Sequence, residues 1–178
     1  MRIENKKRLV TAVNLHKQNG ASLLEGIAYL GIAALVVLGA VSLLTSASSS
    51  AKANQMTNEV VALRTAVRKI YAGQVYPAGS LLTTLTSAKA IPTTLQVNGA
   101  VVTNSWGGTV AIAGESNTTF SITYPGVPKD VCVSVLSGAT DWTSAKGAGT
   151  AITAFPVTSD NATTTCSGDT NTVELITN

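Results

Sequence analysis

"QNGASLLEGIAYLGIAALVVLGAVSLL" (18–44) places one carboxylate, Glu25, at the head of a long apolar run. No Asp, Glu, Lys or Arg occurs from Gly26 to Ala51, and residues 26–44 are long enough to cross a hydrocarbon core of about 30 Å as a helix. A charge at the centre of such a helix costs about 2.5–3.5 kcal/mol on insertion scales, and less at its edge. Glu25 sits at the edge, where the helix dipole also favours an acid in the first turn. It therefore has a plain reading as a helix-start residue and a sharper one as the partner of a cation.

The residues upstream decide between those readings. The chain has 178 residues and a net charge of +3, but residues 1–20 carry Arg2, Lys6, Lys7, Arg8 and Lys17 against Glu4, a local 5 − 1 = +4. The remainder holds seven Lys/Arg against eight Asp/Glu, 7 − 8 = −1. A short basic segment before an apolar stretch reads as an export signal, its cations held on the cytoplasmic side. Without that segment no electrostatic case for nucleic-acid binding remains, and none is expected. In an exported chain the two cysteines, Cys132 and Cys166, read as a disulfide rather than as free thiols. Closing residues 133–165 into a loop is worth about 3–4 kcal/mol in the chain-entropy picture.

Beyond the apolar run, past "TSASSSA" (45–51), the pattern changes. Met56, Val60, Leu63, Val67 and Ile70 recur at helical spacing, with Glu59, Arg64, Arg68 and Lys69 off that stripe. "YAGQVYPAG" (71–79) supplies stop signals at Gly73 and Pro77. One helix is thus expected over about 21–71, apolar all round in its first half and one-faced in its second. Gly26, Gly31 and Gly39 read either as points of close helix packing or as a place to unwind. After Pro77, "LQVNGAVV" (95–102) predicts a hairpin turning at Asn98-Gly99. "TVAIAG" (109–114), "TFSITY" (119–124), "VCVSVL" (131–136) and "TVELIT" (172–177) read as strands, with "WGGT" (106–109) as a turn and a loop-rich stretch from Ser137. The expectation is an α+β unit in which the stripe of residues 56–70 covers a small antiparallel sheet. Asn117-Thr118-Thr119 and Asn161-Ala162-Thr163 fit the glycosylation sequon, a match common by chance in a Thr-rich chain.

A cut between Gly20 and Ala21 would give Ala21 a free amine one helical turn from Glu25. In a low-dielectric environment a lone acid and a lone amine each gain from pairing. Where many such helices lie side by side, the acid of one meets the terminal amine of another and sets their axial register. Glycine before the cut, a small residue after it, Glu25 fifth beyond it and an apolar run behind resemble the prepilin signature of type IV pilins. The resemblance extends through the two-part helix, the following sheet and the cysteine pair. A 20-residue leader and Ala21 as first mature residue are similar to the type IVb branch, which includes toxin-coregulated, bundle-forming and conjugative-plasmid thin-pilus pilins. "NSWGGTVAI" (104–112) and "VPKDVCVSV" (127–135) look most like the thin-pilus group.

That resemblance implies the type IV pilin fold: residues 1–20 as a cleaved leader, 21–52 as a transmembrane and filament-core helix, and 53–178 as the globular part. It implies a prepilin peptidase that cuts after Gly20 and N-methylates Ala21, residence in the inner membrane, and then assembly by the pilus machinery. The product is a helical homo-oligomer outside a Gram-negative cell, meeting a recipient or host cell surface in conjugation, adhesion or aggregation. Cys132 and Cys166 would bound a variable surface region, in which Trp142 reads as a loop-packing residue rather than an exposed contact. The rivals are a secretion-system pseudopilin or minor pilin, and a conventionally secreted β-rich protein cut after "AKA" (51–53). An enzyme fits poorly. The one histidine, His16, lies in the leader, a disulfide leaves no thiol, and the acids show no metal-ligand spacing. Neither cofactor nor metal is expected.

Overall fold

The computed structural model describes residues 22–178, so Gly20 and Ala21 lie outside the described residues. The chain divides into two compact units, one running to Ser42 and the other spanning Leu43–Asn178. In the first, the helix α1 (Leu23–Ile70) begins close to the expected position, and Gly26, Gly31 and Gly39 are all helical. Its side chains find no cover: Leu24 is 78 % exposed, Leu35 70 % and Leu38 67 %.

In the second unit the same helix becomes one-faced. Ala53, Met56, Val60, Leu63 and Val67 are buried at spacings of three and four, the period that puts side chains on one face. They join a single core with Val102, Ile112, Ile122, Tyr124 and Leu175 of the sheet. That sheet contains β1 (Gly79–Ser80), β2 (Gln96–Asn98), β3 (Val101–Thr103), β4 (Thr109–Gly114), β5 (Phe120–Pro128), β6 (Ser144–Lys146) and β7 (Thr170–Thr177). The order is β2-β3-β4-β5-β7-β6, antiparallel throughout, with β1 paired to β4. Residues 172–177 therefore occupy an interior position, between β5 and β6. Asn171, Val173, Leu175 and Thr177 alternate inward along β7, as a half-buried strand requires.

Several sequence readings are corrected. "VCVSVL" forms part of a helix, α3 (Lys129–Ser137), not a strand. Its buried residues are Val131, Cys132, Val135 and Leu136, two adjacent pairs one turn apart, which a helix puts on one face and a strand would split between two. Pro128, extended at the N-cap, and Asp130 in the first turn mark its start. The stretch after Ser137 is more ordered than a loop. It contains β6 and a helix, α4 (Ser159–Thr165), whose N-cap Thr158 accepts from the Asn161 N–H. The 95–102 hairpin forms, but one residue later than read: Asn98 pairs with Val101, so Gly99 and Ala100 make the turn, with Gly99 at φ +62°.

The "WGGT" turn is held by Asn104, which is 4 % exposed. Its Oδ1 accepts from the Trp106 and Gly108 N–H groups at 3.0 and 2.9 Å, and its Nδ2 donates to Pro125 O at 2.8 Å. The β3–β4 turn is thereby tied to the bulge in β5 between Tyr124 and Val127. A Cβ at Gly108 would collide with the Pro125 carbonyl, so only glycine fits.

Candidate functional site

Two features stand out: an uncovered apolar helix headed by an acid, and the contacts that fix the rest of α1 to the sheet. Glu25 lies in the first turn of α1, exposed, with Tyr29 Oη donating to its Oε1 at 3.4 Å. Tyr29 was not singled out by the sequence reading, although the i, i+4 spacing within "EGIAY" (25–29) brings the two together. Behind them α1 carries no charged residue until Lys52, and its large apolar side chains from Ile27 to Leu44 are exposed. Burying one Leu, Ile or Val side chain is worth about 1.5–3 kcal/mol, so a row of them left open to water is strongly unfavourable. This face requires lipid or other apolar helices. The hydroxyls that follow are turned back on the helix: Ser48 Oγ donates to Thr45 O at 2.9 Å and Ser50 Oγ to Ser46 O at 3.1 Å. A polar segment satisfied in this way tolerates an apolar neighbourhood.

The later half of α1 is fastened by polar contacts as well as packing. Glu59, off the apolar stripe, is nevertheless buried, at 3 % exposed. It accepts from Gln55 Nε2 at 2.8 Å and from Tyr124 Oη of β5 at 3.4 Å. Burial, then the carboxylate of Glu59, push the Tyr124 hydroxyl well above the ordinary tyrosine pKa, so it stays a donor. Arg64 lies 4.8 Å from the Trp142 ring centroid and donates to Asp141 O at 2.9 Å. Partial burial, followed by the nearby Arg68 charge, lowers its pKa, an effect that Asp141 opposes. Asp141 adopts φ +61°, which aims its carbonyl at the guanidinium and leaves Trp142 packed at 8 % exposure. Trp142 is thus a packing residue. Arg68 completes the fastening through Nε to Asn178 O at 2.6 Å and Nη2 to Thr177 Oγ1 at 3.1 Å.

Cys132 of α3 and Cys166 at the end of α4 form a disulfide with a Cα separation of 5.9 Å, both fully buried. It joins two helices and encloses β6 between them in sequence. Of the residues the sequence points to, the structure thus pairs Cys132 with Cys166 and sets Glu25 at the head of the uncovered helix.

Comparison with known proteins places this geometry. The PilS N-terminal family model matches residues 50–178. The major structural subunit of bundle-forming pilus from Escherichia coli O127:H6 is 32 % identical over 141 residues, covering 77 % of this chain and 72 % of the relative. The corresponding protein of Escherichia coli O111:H- is similar to the same degree. Among solved structures, a type IV b pilin from Salmonella typhi superposes with a TM-score of 0.55 at 26 % identity, covering 68 % of this chain and 96 % of that one. TcpA, a type IV pilin from Vibrio cholerae El Tor, shares the fold alone, with a TM-score of 0.54 at 13 % identity over 72 % of this chain and 99 % of its own. An apolar helix whose later half packs on an antiparallel sheet, a disulfide joining α3 and α4 and these likenesses together identify the chain as a member of the type IVb pilin family.

Proposed function

We propose that the chain is the major structural subunit of a type IVb pilus, with no catalytic role. The observation that carries this reading is the single acid heading the exposed, charge-free first half of α1 in a chain whose later part is closed by a disulfide. In the inner membrane residues 21–52 span the bilayer, and 1–20 are the leader that a prepilin peptidase removes. Cleavage after Gly20 exposes the amine of Ala21, which is then N-methylated. As copies leave the bilayer, lipid around the apolar face is exchanged for the helices of neighbouring copies. Glu25 of one copy pairs with the terminal amine of another and fixes the stagger. The bodies, 53–178, form the outside of a surface filament.

The E. coli relatives are named for pili that bundle, which supports filament–filament association and cell–cell contact. The thin-pilus likeness of the sequence favours contact between mating cells, and transfer frequency in liquid after deletion of the gene tests that part. The test of the whole reading is stepwise degradation of the exported product. It should begin Ala-Ser-Leu-Leu-Glu, with roughly 2 kDa lost, whereas a conventionally secreted protein cut after Ala53 would lose roughly 5 kDa and begin at Asn54. High copy number in sheared filaments separates a major subunit from a minor pilin or pseudopilin.

A further inference from the structure

Trp106, in the turn between β3 and β4, is half-buried and packs against the margin of the core. It sits over the β5 bulge, where a Cβ on Gly126 would lie 3.7 Å from its own Cβ. Its backbone N–H is bonded to Asn104 Oδ1, but among the described residues no acceptor takes its indole N–H. A large apolar ring with a free donor suits a boundary that is apolar on one side and wet on the other. The Asn104 bonds to Trp106, Gly108 and Pro125 hold the turn that presents it.

One contact sets the height of this turn along α1: Gln55 Nε2 donates to Ser105 Oγ at 3.1 Å. From there β4 runs towards the other end of the body. Its last residue, Gly114, pairs with Gly79 of β1, which lies between the end of α1 and the helix α2 (Leu82–Ser87). Just past β4, Asn117 O accepts from the Tyr76 N–H. The β3–β4 turn is therefore at the edge of the sheet nearest the first covered residues of α1. Lys52, three residues before Gln55, is exposed, and among the described residues no hydrogen bond or ion pair engages it. It also closes the charge-free span. The 26 residues from Gly26 to Ala51 make about 39 Å of helix, against about 40–45 Å for a bilayer with its headgroups. With Glu25 at one headgroup layer, Lys52 reaches the other, where a lysine side chain extends readily to lipid phosphates. Gln55, and with it the turn, stands about 4.5 Å further along the axis, less than one helical pitch.

We propose that the β3–β4 turn is a membrane-contact edge of the unassembled subunit. Trp106 lies among the headgroups of the periplasmic leaflet, beside Lys52, and its indole N–H donates to lipid phosphate or ester oxygens. The inference rests on the inner-membrane reading above and adds a second attachment to it, separate from the apolar helix. Tryptophan concentrates at headgroup level because its ring leaves water there while its N–H keeps an acceptor. A turn already held by Asn104 loses little freedom on docking, so the contact costs little ordering. It holds the body at a fixed height over the bilayer, and it breaks when the subunit is drawn into a filament.

The test uses mature full-length protein reconstituted in phosphatidylethanolamine–phosphatidylglycerol vesicles and reads its two tryptophans by fluorescence. Trp142, packed beside Arg64, is the internal control. A nitroxide on the lipid headgroup should quench Trp106 roughly twofold more than one deep in the acyl chains, as a ring at headgroup level requires. Neither label should quench Trp142. Trp142→Phe isolates the Trp106 signal and Trp106→Phe isolates that of Trp142. Should the first variant fail to fold, the quenchable emission that Trp106→Phe removes from wild type gives the same quantity. Protein that floats with the vesicles but whose Trp106 ignores the headgroup label, or is quenched no more than Trp142, overturns the contact and leaves the membrane anchor intact. Protein that does not float with the vesicles overturns both.

Discussion

The two halves of α1 belong to one helix but differ in composition and in where their apolar side chains go. From Leu23 to Leu44 the large hydrophobics are exposed, whereas from Ala53 to Val67 those of the stripe are buried against the sheet. The later half satisfies its surface within the chain. The earlier half leaves that need to a membrane or to other copies, so its energetics belong to the assembly. A substitution in one half should therefore change folding, and in the other only association.

The largest separation of these effects is expected from Glu25→Ala. Removing one member of a desolvated ion pair costs about 3–5 kcal/mol, roughly a factor of 10²–10³ or more per contact. Filament yield after shearing should collapse while the thermal midpoint of the soluble body is unchanged; wild-type filaments from this variant would break the comparison. Next comes Leu63→Ala, at a fully buried stripe position. It should lower the stability of the body by about 2–5 kcal/mol in urea unfolding, while Leu38→Ala leaves it unaltered. Equal losses from the two would show that both halves fold as one. Cys132→Ser should cost about 2–5 kcal/mol and reduce periplasmic abundance, and unchanged levels would show that packing alone holds α3 to α4.

A smaller effect is expected where α1 meets β5 through a polar contact. The Tyr124 hydroxyl titrates higher in the folded chain than in the unfolded one. Its contribution is therefore complete below the unfolded value of about 10 and is lost as pH climbs beyond it. Tyr124→Phe should remove that part of the alkaline decline and cost about 0.5–1.5 kcal/mol at neutral pH. Unfolding followed from pH 8 to 11 reads both, and an alkaline limb identical to wild type would deny the tyrosine that role. The smallest is Arg64→Ala, about 0.5–1 kcal/mol from the lost contact with Trp142; Trp142 fluorescence and urea midpoint together report it.

The long helix, its change from all-round to one-faced apolarity, the strands at 109–114 and 172–177 and the Cys132–Cys166 pair were legible because each obeys a local period or a compositional rule. "VCVSVL" was not, because short apolar runs satisfy both periods and only the neighbours they meet arbitrate. The burial of Glu59 was not legible for a related reason. Period assigns a residue to a flank, but whether that flank is buried depends on what lies across from it, here Tyr124 and Gln55.

By itself, then, the sequence determined the apolar anchor, its lone acid and the basic segment before it, since each is a property of contiguous residues. Tertiary structure decided what no local pattern encodes. Arg64 meets Trp142, and Asn104 ties a turn to a distant bulge. These are contacts across the chain, and their energy arises only when the fold has brought the partners within reach.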